Sequence, residues 1–274
     1  MVKKTLSNAY ILIIMALLYA PIILIIVFSF ANTSNFTFRH GFTLEAYRSI
    51  FNFPQTPYLL DALKNTLFIA VVSSVVSTIM GSVAAIGIYN LKQRPRRIVE
   101  NINQMPIINS EIVMAVALML FFITFKFPQG YVRLIIGHIS FCTPYVVLSV
   151  MPRLIQMDPN VYEAALDLGA SPVKALFKVI IPIIFPGIMS GFAMAFTLSM
   201  DDFIITQINK GTTTGIDTLS TYIYSSQHNA RGLNPFWFAV FSIIIVVVLA
   251  LLLIINLNKL IKRINKERKN EKSF

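Results

Sequence analysis

Hydrophobic and polar positions along this 274-residue chain fall into long blocks rather than a fine alternation. Six blocks are almost wholly apolar: residues 10–30, 63–91, 105–125, 134–151, 179–200 and 236–257. Each is close to the ~20 residues a helix needs to cross ~30 Å of hydrocarbon. Membrane-spanning strands would alternate apolar and polar positions, so the pattern predicts an all-α membrane protein with six transmembrane helices in one domain, 1–274. Three polar stretches interrupt the blocks at length: 31–62, 153–178 and 201–235. Within the first, "TLEAYRSIF" predicts a short helix capped by Thr43 that buries Leu44, Tyr47 and Phe51 on one side. The third holds a turn-rich "NKGTTTGIDTL" and then "STYIYSSQ". Loops this long are functional or disordered as a rule, and the aromatics of 31–62 argue for ordered packing.

Composition agrees with the bilayer as solvent. Hydrophobic residues make up 56% of the chain and charged residues 13%, with a mean hydropathy of +0.71, against about 25% charged in soluble domains. The first block exceeds the 7–15-residue core of a signal peptide, and "SFANTSNF" makes a poor cleavage site, so it is read as a retained span. The single cysteine, Cys142, lies within the fourth block and has no intrachain partner for a disulfide.

A net charge of +11 raises the possibility of nucleic acid, but the distribution excludes it. With six spans and the N-terminus inside, 16 of the 23 Lys and Arg fall on the cytoplasmic side, as the positive-inside rule requires. Seven of these belong to the tail from Lys259, read as a solvated helix end touching anionic lipid headgroups. The dense "KQRPRR" at 92–97 is the stronger orientation signal. Both termini are thus expected to be cytoplasmic.

The segment 153–178 carries helix punctuation twice over. Asp158-Pro159 reads as a cap followed by a helix-initiating proline, and the helix through "NVYEAALDL" stops at Gly169. Ser171-Pro172 repeats the start signal, and "VKALFKVII" leads into the fifth block. Ala164, Ala165 and Gly169 leave a face of low bulk beside one carboxylate, Glu163. Two readings stand: a tidy cytoplasmic hairpin, or an element on which another protein docks.

The spacing Glu163-Ala164-Ala165, Gly169, then Val179-Ile180-Ile181-Pro182 resembles the EAA motif of ABC-importer permeases, with the motif's last Ile and Leu replaced by Val and Ile. The resemblance implies a type I importer-permease architecture. It implies a coupling loop seated in a groove of a cytoplasmic ATPase, with Glu163, Ala164, Ala165 and Gly169 as the contact. The implied partners are a homologous second permease, two ATPase copies and an extracytoplasmic substrate-binding protein, in a bacterial cytoplasmic membrane. "LYAPIILIIVFSF", "GFTLEAYRSIF" and "TLSMDDFIIT" are similar to the permeases of spermidine/putrescine importers. Those often carry Pro-Glu-Ile in the third span, where this chain has Ser110-Glu111-Ile112. Iron, thiamine, sulfate and phosphonate permeases share the EAA loop and remain alternatives.

A few charges need a role. Glu111, about two turns inside the third block, would cost ~2.5–3.5 kcal/mol facing lipid at the bilayer centre, which points to a path or an interface. Asp201 and Asp202 end the fifth block ~100° apart on a helix; one can line a vestibule while the other caps the following turn. Tyr145, Tyr222 and Tyr224 offer cation–π faces to an ammonium substrate, though membrane-interface belts explain them equally. His138 reads as a satisfied core residue rather than a ligand. There is no GxxxxGK, no HExxH and no Cys/His cluster, so no cofactor, metal or catalytic residue is expected. A secondary transporter would show inverted repeats and broken midplane helices, and no repeat is visible. A scaffold or an intramembrane enzyme leaves the 163–182 spacing without a purpose.

Overall fold

A computed structural model describes residues 2–31, 41–52, 56–211, 214–228, 236–247 and 249–250. All regular structure among the described residues is helical: α1 (Val2–Phe28), α2 (Glu45–Asn52), α3 (Thr56–Tyr89), α4 (Gln93–Ile108), α5 (Glu111–Thr124), α6 (Tyr131–Gln156), α7 (Asn160–Asp167), α8 (Pro172–Ala175), α9 (Ile181–Asp201), α10 (Ile204–Asn209), α11 (Leu219–His228) and α12 (Phe236–Val247). Four described stretches are long and apolar enough to cross a membrane: Tyr10–Phe28, Tyr58–Tyr89, Tyr131–Gln156 and Pro172–Asp201. The bent pair α4–α5 passes the same test of length and hydropathy only when its two helices are taken together. The second half of the sixth apolar block and the basic tail from Lys259 lie outside the described residues, as do Phe36, Phe38 and Phe53.

The chain divides into two compact units, 1–56 with 226–274, and 57–225. In the first, the Tyr47 hydroxyl sits 2.6 Å from Ser29 Oγ and donates to Ser242 Oγ at 3.1 Å, tying α2 to the end of α1 and to α12. The Glu45 N–H donates to Thr43 Oγ1 at 3.2 Å, the predicted cap. Leu44, expected to be buried, is 56% exposed. The residue of the first turn that is buried is Ala46, at 4% exposure, while Leu44 stands before the helix start.

The second unit is organised around α6 and α9, which pack over most of their lengths. Val146 lies between two glycines: a Cβ on Gly81 of α3 would come within 2.6 Å of Val146 Cβ, and one on Gly191 of α9 within 3.1 Å of Val146 Cγ1. Glycine at both places lets three helices close on one valine. The buried apolar cluster spreads from there through Ala85, Phe141, Val150, Leu154, Ile184 and Ala195.

The third apolar block is not one continuous helix. It breaks at Asn109-Ser110, both extended, and α4 and α5 meet at 105°. Pro106 in the last turn of α4 cannot donate to the Ile102 carbonyl, which weakens the helix just before the break. Met105–Ile108 therefore belong to the helix that starts in "KQRPRR". Arg96 Nη2 lies 3.7 Å from Met151 Sδ and Asn103 Nδ2 donates to the Pro144 carbonyl at 3.4 Å, so α4 runs antiparallel along α6 as far as its midpoint.

Candidate coupling loop and translocation path

Between α6 and α9 the chain makes the expected helix, turn and helix. Asp158 Oδ1 accepts from the Asn160 N–H at 2.9 Å and opens α7. Gly169 closes it at φ +86°, with the Gly169 N–H on the Leu166 carbonyl (2.8 Å) and the Ala170 N–H on the Ala165 carbonyl (3.1 Å). These two bonds form a Schellman cap, which needs a residue free to adopt the left-handed conformation. Ser171 Oγ then accepts from the Lys174 N–H, with Pro172 at the helix start.

The helix from Pro172 does not stop at Pro182. A five-residue π turn, Leu176–Ile180, joins α8 to α9, and the Ile181 N–H bonds the Leu176 carbonyl. A proline has no N–H for the fourth preceding carbonyl and clashes with it. One residue wound into a wider turn moves that conflict aside, so the loop and α9 form one continuous 30-residue rod, Pro172–Asp201.

The loop's residues face different ways. Glu163, Ala164 and Gly169 are exposed, whereas Ala165 is buried within the chain and takes no part in the outer face. Leu168 (90% exposed), Val173 and Phe177 supply apolar bulk there instead. Behind them lies a cleft of about 560 Å³ lined by Tyr89, Leu154, Tyr162, Glu163 and Ile180, among others. No ion pair among the described residues uses Glu163.

Glu111 is the first residue of α5 and lies exposed at the apex of the α4–α5 bend. Its position corrects the expected place two turns inside a straight helix. Asn103 reaches the Pro144 carbonyl near the midpoint of α6. The neighbouring Tyr145 is half-buried and packs edge-on to Phe141, ring centroids 5.5 Å apart. At the far end of α9 the two aspartates separate. Asp201 is exposed, while Asp202 is 8% exposed and fully engaged. Asp202 accepts from the Ile205 N–H (3.1 Å), the Thr206 N–H (2.9 Å) and the Thr206 hydroxyl (2.8 Å), which makes it the cap of α10. Buried His138 reaches Ser199 Oγ (2.6 Å), Thr206 Oγ1 (3.0 Å) and Asp202 Oδ2 (3.4 Å). Ser199 and Thr206 gave no signal in the sequence beyond the Asp-x-x-x-Thr cap spacing of 202–206. Tyr224 packs its ring against Phe203 at 4.9 Å.

A punctuated loop between two long packed helices, with one carboxylate at a helix break and another at a helix end, suits a transport subunit. The description "Binding-protein-dependent transport system inner membrane component" matches residues 77–266. The chain belongs to that family. This permease is 35% identical over 223 residues to "Spermidine/putrescine transport system permease protein PotC" of Escherichia coli (strain K12), covering 81% of this chain and 83% of that one. It is 33% identical over 206 residues to the protein of the same name from Haemophilus influenzae, covering 75% and 79%. The E. coli "Putrescine transport system permease protein PotI" is 29% identical over 225 residues, covering 80% and 78%. In fold, the permease is similar to a bacterial ABC transporter involved in the import of the acidic polysaccharide alginate, with a TM-score of 0.65, 16% identity, and 93% and 95% coverage. The permease is a multi-pass membrane protein and a component of a binding-protein-dependent importer, not an enzyme. Importers of this kind pair their permease with a second permease, an ATPase and a binding protein. One helix is broken as in secondary transporters, but the family match over 77–266 decides against that class.

Proposed function

We propose that this permease moves polyamines, spermidine or putrescine, through a path shared with a homologous second permease. Energy comes from two copies of a cytoplasmic ATPase, and substrate from an extracytoplasmic binding protein. The observation that carries the substrate class is the pair of exposed carboxylates, Glu111 at the start of α5 and Asp201 at the end of α9. An exposed carboxylate at a break within apolar sequence is costly against lipid, and a cation carrying several ammonium groups is its natural counterpart. The similarity to polyamine permeases over four-fifths of the chain points the same way.

In this arrangement the chain crosses the bacterial cytoplasmic membrane six times with both termini inside. The loop 153–178 sits on the ATPase through Glu163, Ala164, Gly169 and the apolar residues around them. Closure of the two ATPases draws the loops together, and the rod Pro172–Asp201 carries that displacement to Asp201. Asp202 contributes by fixing the turn that presents Asp201 rather than by meeting the substrate.

The test is labelled spermidine uptake in cells lacking other polyamine importers, with and without this permease. Putrescine, sulfate and a phosphonate serve as competitors. Uptake that depends on the permease and is displaced by putrescine alone is expected. Permease-dependent uptake of one of the anions in place of spermidine overturns the substrate class.

A further inference from the structure

We infer that His138 is a positioning residue for transport, the joint through which movement of the α6–α9 pair reaches α10 and the two exposed carboxylates. The inference rests on the coupling role of the loop between α6 and α9.

Four buried polar side chains meet at one point: His138 of α6 (1% exposed), Ser199 of α9, Thr206 of α10 and Asp202 between α9 and α10. Donor accounting fixes their arrangement. With Asp202 ionised, the Thr206 hydroxyl spends its hydrogen on Asp202 Oδ2. Thr206 Oγ1 can then only accept from His138, so the proton sits on Nε2, aimed between Thr206 Oγ1 at 3.0 Å and Asp202 Oδ2 at 3.4 Å. In the neutral ring Nδ1 is left as an acceptor, and the Ser199 hydroxyl at 2.6 Å donates to it. α9 and α10 thus each contribute a partner to an imidazole carried by α6.

The joint leads on in two directions. Asp202 is the next residue after Asp201, so holding one orients the other. At the far end of α10, Asn209 Nδ2 donates to the Ala115 carbonyl of α5 at 3.2 Å, one turn beyond Glu111. Where α10 crosses α6, a Cβ on Gly137 would come within 3.1 Å of Ile205 Cγ2, so little slack exists between them. A shift of α6 and α9 therefore reaches both carboxylates through α10, and His138 is the only side chain that bonds α6, α9 and α10 together among the described residues.

The experiment uses the whole importer, reconstituted in liposomes with its second permease, ATPase and binding protein. Spermidine moved per ATP hydrolysed is measured for His138→Ala, Thr206→Val and His138→Gln. The ratio should fall about tenfold in H138A, less in T206V, and recover to within about twofold in H138Q, which keeps a side-chain N–H. A purely structural role would reduce the amount of assembled importer but leave the ratio unchanged. T206V removes the hydroxyl at constant shape and decides the matter where H138A does not assemble. A substrate-independent measurement accompanies it: the ATP-dependent change in hydrogen exchange over Ile204–Asn209 should vanish in H138A and T206V while that over α7 persists. An unchanged ratio together with an unchanged ATP response in both variants overturns the inference. Glu163→Arg is the control for the coupling role itself, since uptake that survives it removes that role whatever the His138 variants do.

Discussion

The loop from Asp158 to Ala175 and the cluster around His138 hang on the same two helices, α6 and α9, yet they are built in opposite ways. The loop is exposed, held by bonds between residues two to five apart, and its shape follows from proline, glycine and capping rules. The cluster is buried, and its partners lie 61 and 68 positions apart in sequence. An element that must be recognised by another protein is best made stiff and local, so that its form does not depend on the state of the bundle. An element that must transmit motion inside the bundle has to be assembled from several helices, since only then does displacing one pull the others.

That contrast can be broken at either end. Glu163→Arg places a bulky cation on the loop's outer face without touching its cap, and uptake should fall to background while the protein stays in the membrane. Uptake at the normal rate would remove the loop from coupling. Gly191→Val forces a branched side chain against Val146 where even a Cβ has only 3.1 Å. Overpacking of this kind costs about 1–3 kcal/mol, so the purified complex should melt several degrees lower, and an unchanged melting temperature would mean α6 and α9 can slide apart freely. The aspartates should divide by type of effect. Asp201→Asn is expected to raise the apparent KM for spermidine about threefold with stability intact. Asp202→Asn should lower stability by about 1 kcal/mol through a weakened cap, with a smaller effect on KM. Equal effects on KM would dissolve the distinction drawn between them. The smallest effect belongs to Gly169→Ala: nothing lies within 4 Å of the added carbon, so only the positive φ is strained, at about 1 kcal/mol. Uptake should drop modestly and recover on cooling, whereas complete loss would mean the ATPase contacts the glycine backbone itself.

Much of this molecule was legible in its sequence because its rules are local. Asp158-Pro159, Gly169 and Ser171-Pro172 announce the loop, and long apolar blocks announce the helices. The break at Asn109-Ser110 escaped because hydropathy averaged over 105–125 hides a change of direction. Pro106 followed by Asn-Ser-Glu was the available sign, a weakened helix end beside a fresh start. That Ala165 packs against its own chain while Ala164 is exposed was not legible either, for a related reason. Neighbouring alanines sit ~100° apart on a helix, and only the packing of α7 on its own chain decides which one faces out. Ser199 and Thr206 carried almost no signal, since a hydroxyl in an apolar helix is ordinarily spent on its own backbone. Their pairing with His138 exists only once α6, α9 and α10 are brought together.

The π turn at Leu176–Ile180 has one more consequence, which concerns phase. It holds one residue more than a regular helix would need over the same rise. Removing Lys178 would wind the turn down to an ordinary helix and leave everything beyond it near its present angle to α7. Asp201 would then keep its side of the rod, whereas a residue deleted from the regular turns of α9 would swing it by about 100°. The turn thus stores one residue of slack between the loop and the carboxylate, much as a tensioner takes up spare belt without retiming the cam.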